Sequence, residues 1–219
     1  MKDINEVKFE VIGEAIDTLI TVDIHSRGLV RPVYEILRKK VGKPLTYHAA
    51  KGLVEALCEK NDVVIIGTGF LIAPSLKPET DGPIGAAMLA RALDLYGAKP
   101  IIIAEEGAIN CLKASCTAAE LNVYEDVDTM LKVPHSVAVI SCPVDKSAAK
   151  ELFNKLINDY KPKAMVSIEH PGQNEQGLYH SAFGKQLADW VAPIDLLMTE
   201  MRKAGAFTVG IGDLGNEAG

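Results

Sequence analysis

Short apolar runs alternate along this chain with stretches in which apolar residues recur at helical spacing. The apolar runs are rich in Val and Ile and are bounded by polar or turn residues, which predicts strands. They stand in the stretches 62–70, 99–106, 135–143, 163–172 and 206–219. Since apolar strands separated by helices form parallel sheets covered on both faces, the pattern predicts an α/β fold. We expect a mostly parallel sheet sandwiched between helices in Rossmann-like layers, with a helical N-terminal segment before it.

Helical periodicity fills the segments between the predicted strands and the whole region before the first of them. The predicted helices cover 4–23, 33–42, 46–61, 84–96, 106–121, 145–161 and 192–205. A short helix is also expected in the polar loop between residues 172 and 192. Without a repeat or a linker, the pattern predicts a single domain of residues 1–219, in which residues 1–60 are helical and residues 61–219 form an α/β core. The closing stretch "GDLGNEAG" has the form of a loop entering another helix, so either the domain ends on a loop or the natural chain continues beyond Gly219.

Composition and charge narrow the class of function. The 29 acidic residues outnumber the 23 basic ones, and no basic cluster offers a face to a phosphate backbone, which argues against nucleic-acid binding. No apolar run reaches the roughly 18 to 20 residues of a spanning helix, and the N-terminus has neither a secretory nor a transit pattern. We therefore expect a cytoplasmic protein without a membrane partner. The four cysteines lack metal-ligand spacing and are expected to be free, mostly buried thiols.

Acids and glycine turns collect at the carboxyl ends of the predicted strands, where ligands bind in open α/β sheets. The strand ends carry Gly67-Thr68-Gly69, Glu105-Glu106, Glu169-His170 and Gly212-Asp213, with Asn216 and Glu217 close by. Together with Glu79 and Asp81 after the first strand, these acids predict carboxylates that converge on one cleft. Because clustered carboxylates repel one another, we expect Mg²⁺ or Mn²⁺ to bridge them, or one acid to have a raised pKa and to act as a general acid.

Each acid also has a local explanation. Asp81 stands before Gly82-Pro83 at a predicted helix start and is consistent with an N-cap or an N′ residue. Glu105-Glu106 is consistent with a solvated pair at a helix start, where the dipole favours acids. His180 lies in a predicted loop and is equally consistent with a surface histidine. Glu169 is the strongest candidate, because it opens a turn at the end of a strand.

A nucleotide cofactor is not expected. Residues 210–215 match G-x-G-x-x-G after a strand, but Asp213 inside the motif would oppose a pyrophosphate, and no acid follows at the required distance. Cys142 follows a predicted strand, but nothing else in the sequence supports it as a nucleophile.

Several long motifs carry a resemblance to a known family. The stretches "GTGF", "ETDGPIGAAMLARAL", "SIEHPGQNEQGLYH" and "GIGDLGNEAG" resemble, in this order, the D-glutamate cyclase-like C-terminal domain family, formerly a domain of unknown function. "DIHSRGLVRPVYE" and "KPLTYHAAKGL" resemble its N-terminal segments, so the likeness covers nearly the whole chain. The chain departs from the family pattern at His170, where Arg is usual, and at Leu214, where Gly is usual, and the family domain is longer.

The resemblance implies a hydro-lyase that forms 5-oxo-D-proline and water from D-glutamate. Loss of a γ-carboxylate oxygen as water needs a Lewis acid or a proton donor, and the Mn²⁺ or Mg²⁺ expected from the clustered acids would serve as the Lewis acid. On this basis we expect a metal or acid cluster of Glu79, Asp81, Glu169 and Asp213. The expected catalytic residues are Glu169, His180 and Glu217, with His180 or Glu217 as the proton shuttle. The expected substrate contacts are Arg27, Gly67, Thr68, Gly69, Thr80, His170 and Asn216.

Two other functions stay open. The same acidic pocket would suit a Mn- or Mg-dependent phosphatase, since some members of the family resemble such enzymes. A non-catalytic domain that binds a small ligand through a cation is the third possibility. The expected partner is in each case a small molecule, either an acidic amino acid or a phosphate ester.

Overall fold

The computed structural model of the chain describes residues 4–24, 26–187 and 190–219. The strands are β1 (Val63–Gly67), β2 (Leu71–Ile72), β3 (Lys77–Pro78), β4 (Lys99–Ala104), β5 (Asn122–Tyr124), β6 (Ser136–Ser141), β7 (Ala164–Ile168) and β8 (Phe207–Ile211). Six of them form a sheet in the order β5-β6-β4-β1-β7-β8, and every pairing in it is parallel. The strands β2 and β3 form a separate hairpin. The predicted α/β fold with a parallel sheet is confirmed.

The helices lie before the first strand and between the later ones. They are α1 (Ile4–Ile20), α2 (Val30–Val41), α3 (Leu45–Ala56), α4 (Asp81–Tyr96), α5 (Glu106–Ala118), α6 (Val127–Lys132), α7 (Lys146–Tyr160) and α8 (Ile194–Lys203). The helix predicted over 84–96 begins three residues earlier and ends, as predicted, at Gly97, whose left-handed conformation closes it. The short helix predicted between residues 172 and 192 is wrong for the described residues of that loop, which form isolated bridges instead.

Helices cover both faces of the sheet, as the alternation of side chains along β1 shows. A Cβ on Gly67, the last residue of β1, would meet Ile194 of α8, whereas the next residue, Thr68, whose amide still donates to Ile103 O of β4, faces Gly82 of α4. Because successive residues of a strand point to opposite faces, α8 and α4 lie on opposite sides. The α8 side carries a large apolar core that includes Phe153 of α7 and Ile103 of β4.

The chain divides into two compact units. The first is Met1–Glu55 together with Asp213–Gly215, and the second is Ala56–Gly212 together with Asn216–Gly219. The second unit contains the whole sheet, and the first contains α1 and α2 with most of α3. The description of residues 1–219 as a single domain stays a prediction. No helix in residues 4–24, 26–187 and 190–219 is long and apolar enough to cross a membrane.

One buried carboxylate, on α1, accepts hydrogen bonds from both other helices of the first unit. Asp17 of α1 is only 1% exposed, and it accepts hydrogen bonds from the backbone amides of Leu45 and Thr46 at the start of α3. The hydroxyl groups of Thr46 and of Tyr34 in α2 also donate to it. Burial by itself would raise the pKa of Asp17, but the hydrogen bonds from Thr46, Leu45 and Tyr34 hold that pKa below its usual value.

We expect Asp17→Asn to lower the free energy of unfolding by about 2 kcal/mol at pH 7, because an amide nitrogen would face donors that now meet an oxygen. Since the pKa of Asp17 is lowered on folding, its contribution is complete above the unfolded pKa, about 3.9, and is lost as the pH falls through the lower folded value. Urea unfolding followed by circular dichroism at pH 7 and below pH 4 measures both effects. Asp159→Asn, at an exposed position, is the control, and equal losses in the two variants would contradict the prediction.

Candidate functional site

Three adjacent strands, β4, β1 and β7, end side by side at the same edge of the sheet. The first turn of α4 lies against this edge, because a Cβ placed on Gly82 would be 2.7 Å from Thr68 Oγ1 and 3.5 Å from Glu169 Cβ. Gly82 is therefore required by close packing. Its position brings the preceding residue, Asp81, next to the loop that follows β7.

Three of the predicted acids meet at this edge. Glu79, Asp81 and Glu169 each offer a carboxylate oxygen, and these oxygens lie within 4.8 Å of one another. Glu79 and Glu169 are half-buried, whereas Asp81 is exposed. A divalent cation with oxygen ligands at about 2.0 to 2.6 Å can bridge oxygens at such separations. The residues present therefore fit a hard divalent cation, which would also relieve the repulsion among their charges.

Glu169 has a backbone conformation that is uncommon for a residue with a side chain. Its φ is +45°, in the left-handed region, which costs about 1–2 kcal/mol for a non-glycine residue. The Glu169 amide donates to Ile211 O at 3.0 Å, and the amide of Ala218 donates to His170 O at 2.8 Å. The surrounding loops therefore hold Glu169 in place, as is common for functional residues in strained conformations.

A further carboxylate, that of Glu217, lies close to Glu169. Pro171 and Glu217 form an isolated bridge, and carboxylate oxygens of Glu169 and Glu217 lie within 4.8 Å of each other. Asn216 donates from Nδ2 to the carbonyl oxygen of His180 at 3.2 Å, while its own buried Oδ1 has no hydrogen-bond partner among the described residues. The structure thus brings together Glu169, Glu217, Asn216 and the backbone of His180.

The hydroxyl group of Thr68 is buried beside the acids without a hydrogen-bond partner. Thr68 is 0% exposed, and its Oγ1 neither donates nor accepts within the described residues. Buried polar atoms are nearly always paired in folded proteins, so an unpaired hydroxyl that packs on Gly82, the glycine that also packs on Glu169, is a sign of a ligand position. The Thr68 amide, in contrast, already donates to Ile103 O at 3.1 Å as part of the sheet.

The two glycines that flank Thr68 are explained by packing. A Cβ on Gly67 would lie 2.6 Å from Ile194 Cγ2. Gly69 has a φ of +125°, and Glu105 Oε2 occupies the place where its Cβ would stand. Both glycines are therefore required by the fold itself, and their predicted contact with a substrate stays a prediction.

Glu105 and His170 form a buried pair beside the acid cluster. Glu105 Oε1 lies 3.0 Å from His170 Nε2 and also accepts a hydrogen bond from the amide of Ala192. His170 Nδ1 is 2.9 Å from the carbonyl oxygen of Pro171, so it must carry a proton there. Burial opposes a charge on His170, but the charge and hydrogen bond of Glu105 outweigh it, so the pKa of His170 is raised above its usual value.

This pair changes the interpretation of two predicted positions. Glu105 is not a solvated helix-start acid, since it is 2% exposed, whereas Glu106 beside it is exposed. Both ring nitrogens of His170 contact protein acceptors, and the residue is 0% exposed. Its direct contact with a substrate stays a prediction.

A second polar network holds the loop after β7. Asp195, in the first turn of α8, accepts hydrogen bonds from the Tyr179 hydroxyl at 2.6 Å and from the Gln173 amide at 3.2 Å. Burial and the neighbouring Asp195 carboxylate raise the pKa of Tyr179 above its usual value, so the hydroxyl stays a donor. The Nδ1 atom of His180, on the same loop, lies 3.3 Å from the side-chain nitrogen Nδ2 of Asn174.

The remaining predicted residues are Thr80, Asp81, Arg27 and Asp213. Thr80 is the exposed N-cap of α4 and makes no capping hydrogen bond with its side chain. Asp81 is the first residue of the helix instead, and its carboxylate accepts from the Gly82 amide at 2.9 Å. Arg27 and Asp213 both belong to the first unit, where 3.8 Å separates the guanidinium from the carboxylate. The roles of Thr80, Arg27 and Asp213 at a site stay predictions.

The cysteines are free, as predicted, but only two of them are buried. Cys116 and Cys142 are buried, and Cys58 and Cys111 are exposed. Burial, with a smaller contribution from the charge of Glu105, raises the pKa of the Cys142 thiol to about 12. A thiol that stays protonated at neutral pH is a poor nucleophile, which removes the case for Cys142 in catalysis.

Sequence comparison identifies the family. The family model described as "D-glutamate cyclase-like, C-terminal" matches residues 16–219. The chain belongs to this family. Every residue that builds the acid cluster, the Glu105–His170 pair and the loop after β7 lies inside the matched range of the D-glutamate cyclase-like family.

A curated relative carries an enzyme name. The chain is 28% identical over 164 residues to the human protein named "D-glutamate cyclase, mitochondrial". The match covers 71% of this chain but only 25% of the human protein. The chain therefore corresponds to about a quarter of that relative, whose name places it in mitochondria, and the cytoplasmic location predicted for this chain stays a prediction.

The contacts of Glu105, Tyr179 and Asp195 were not predicted from the sequence, in which Glu105 stood only among the acids at strand ends. Glu105 carried a signal, because it follows an apolar strand and precedes a helix, which places it at the carboxyl edge of the sheet. Tyr179 and Asp195 carried none, since neither stands at a strand end.

Proposed function

We propose that this chain is a lyase of the D-glutamate cyclase type, which forms 5-oxo-D-proline and water from D-glutamate with the help of a divalent cation. The observation that carries the proposal is the meeting of Glu79, Asp81 and Glu169 beside the unpaired hydroxyl of Thr68. Membership of the D-glutamate cyclase-like family and the name of the human relative support the choice of substrate.

The reaction defines what the site must do. The α-nitrogen of D-glutamate forms a bond to the γ-carboxyl carbon, and one C–O bond of that carboxyl group breaks. Two protons of the α-ammonium group leave with the oxygen as water, and one stays on the lactam nitrogen. The site must therefore accept a proton from the ammonium group and deliver protons to the departing oxygen.

The described residues can supply these functions. A bound Mn²⁺ or Mg²⁺ would supply Lewis-acid polarisation of the γ-carboxyl group and offset its negative charge. Glu79, Asp81 and Glu169 would hold the cation, with Thr68 Oγ1 donating to a substrate oxygen. Glu217, whose carboxylate lies within 4.8 Å of that of Glu169, is the proposed proton shuttle, with His180 as the other candidate. Thr80 and Asn216 keep their predicted roles within the proposal, whereas His170, whose two ring nitrogens both contact protein acceptors, is not placed at the substrate.

We expect the purified chain to convert D-glutamate to 5-oxoproline, to lose this activity in a chelator and to regain it with Mn²⁺ or Mg²⁺. Chiral chromatography with mass detection of 5-oxoproline measures the product, and L-glutamate is the matched control substrate. A parallel incubation with a phosphate ester tests the phosphatase alternative by release of phosphate.

The outcomes separate the three functions. No 5-oxoproline under any metal condition would overturn the lyase proposal, and release of phosphate would then favour the phosphatase. Product formation that is unaffected by the chelator would keep the lyase but remove the cation. Binding of D-glutamate without turnover of either substrate would favour a ligand-binding domain.

A further inference from the structure

Glu105 and His170 join two strands that are not neighbours in the sheet. Glu105 follows β4 and His170 comes two residues after β7, while β1 lies between these strands. The two side chains are 3% and 0% exposed, and 3.0 Å separates Glu105 Oε1 from His170 Nε2. The pair therefore spans the carboxyl end of β1 and reaches the residue adjacent to Glu169.

The glycine turn after β1 makes room for this bridge. Gly69 has a φ of +125°, and Glu105 Oε2 occupies the place of its missing Cβ. Any side chain at this position would displace the Glu105 carboxylate. The glycine that sequence analysis assigned to substrate approach thus leaves space for a protein side chain.

Each end of the pair is fixed by a further hydrogen bond. The Ala192 amide, just before α8, donates to Glu105 Oε1 at 3.0 Å. At the other end, His170 Nδ1 lies 2.9 Å from the carbonyl oxygen of Pro171. Both ring nitrogens are in use, so the imidazole has one orientation, and the backbone that carries it is held accordingly.

Glu169 precedes His170 directly, and it is in the left-handed region with a φ of +45°. A residue in that region needs support from its surroundings. The backbone supplies some of it through Ile211 and Ala218. The buried His170 side chain adds an anchor from the adjacent residue.

We propose that the Glu105–His170 pair is a positioning element, which fixes the loop after β7 so that the Glu169 carboxylate meets those of Glu79 and Asp81. Glu105 is not one of the proposed ligands, since its Oε1 contacts His170 Nε2 and the Ala192 amide and its Oε2 lies against Gly69. It acts through the length and direction of its side chain. The inference rests on the cation site proposed above.

Two variants of Glu105 distinguish the effect of side-chain length on Mn²⁺ binding from the effect of side-chain charge. Glu105→Gln keeps the length of the side chain and an oxygen for the Ala192 amide, but it removes the charge. Glu105→Asp keeps the charge but shortens the side chain by one methylene group, so its carboxylate cannot reach both partners. The same two substitutions at the exposed neighbour Glu106 are the matched controls.

We would measure binding of Mn²⁺ alone to the full chain, using the electron paramagnetic resonance signal of free Mn²⁺ as the readout. We expect Glu105→Asp to weaken binding by about 10- to 100-fold, the range found when a residue that orients a metal ligand is changed. We expect Glu105→Gln and both Glu106 variants to stay within about threefold of the wild type. Circular dichroism and urea unfolding of each variant report whether the sheet is intact.

Several outcomes would overturn the inference. Wild-type affinity for Mn²⁺ in Glu105→Asp would contradict it. A greater loss of Mn²⁺ affinity in Glu105→Gln than in Glu105→Asp would also contradict it, since the charge of Glu105 would then matter more than its length. If Glu105→Asp does not fold, His170→Asn provides the test, because its side chain can keep the hydrogen bond to Pro171 but cannot reach Glu105. Wild-type affinity for Mn²⁺ in His170→Asn would contradict the positioning role. Absence of Mn²⁺ binding by the wild type would overturn the cation site itself and this inference with it.

Discussion

Glu169→Gln is expected to abolish 5-oxoproline formation and to weaken Mn²⁺ binding at least about 100-fold. Loss of a direct ligand costs more than the roughly 10- to 100-fold that follows loss of a residue orienting a ligand. Glutamine matches glutamate in size, so it fits the same half-buried position and leaves the neighbouring bonds to Ile211 and Ala218 in place. Its neutral amide is nevertheless a weak ligand for a hard cation.

The stability of this variant distinguishes a site residue from a structural one. Without a cation, removal of one of several close carboxylates relieves repulsion, so the free energy of unfolding should stay unchanged or rise. Isothermal titration with Mn²⁺, urea unfolding and the 5-oxoproline assay are to be made on the same samples. Glu175→Gln, an exposed acid of the same loop, is the control. A variant that binds Mn²⁺ like the wild type would exclude Glu169 as a ligand.

Gly69→Ala is expected to lower the free energy of unfolding by about 4 kcal/mol. A left-handed φ of +125° costs an alanine about 1–3 kcal/mol. The new methyl group would also meet Glu105 Oε2 and would lie 3.2 Å from Ala104 Cβ, so the buried carboxylate has to move away from His170. Disturbing a buried ion pair adds a cost of about the same size as the strain.

Gly97→Ala provides the matched control for this prediction. Gly97 has a similar φ of +108° at the end of α4, but no atom of the described residues lies within 4 Å of its Cβ position. The control should therefore cost only about 1–2 kcal/mol, from backbone strain alone. The difference between the two variants in urea unfolding measures the crowding at Glu105, and equal costs would contradict the contact on which that estimate depends.

The parallel sheet could be predicted because most of its strands are continuous apolar runs. β1, β4 and β7 are buried at every residue, and apart from Lys99 at the start of β4 and Ser167 in β7 they form apolar runs in the sequence. β5 was missed, since its three residues at the edge of the sheet are at most half-buried and carry no apolar pattern. The six-residue helix α6 was missed because it spans less than two turns.

The acid cluster was predictable to some extent for a similar reason. Glu79, Asp81 and Glu169 stand at strand ends or at a helix start, and parallel strands bring such positions to one edge. The partner of Glu105 was not predictable, because an apolar strand buried on both faces does not reveal which way the residue after it will point. The left-handed conformation of Glu169 was also invisible, since it depends on bonds to residues more than forty positions along the chain.

The Glu105–His170 pair has a consequence for the order in which the chain folds. The contact from Glu105 to His170 closes a loop of 65 residues, and that from Glu105 to Ala192 closes one of 87. Contacts of such sequence separation form only after the intervening chain has been ordered, because the entropy of loop closure has to be overcome first. A nascent chain can thus build β1 and β4 early, while the support for Glu169 must wait until Ala192 and then Ile211 and Ala218 have been synthesised.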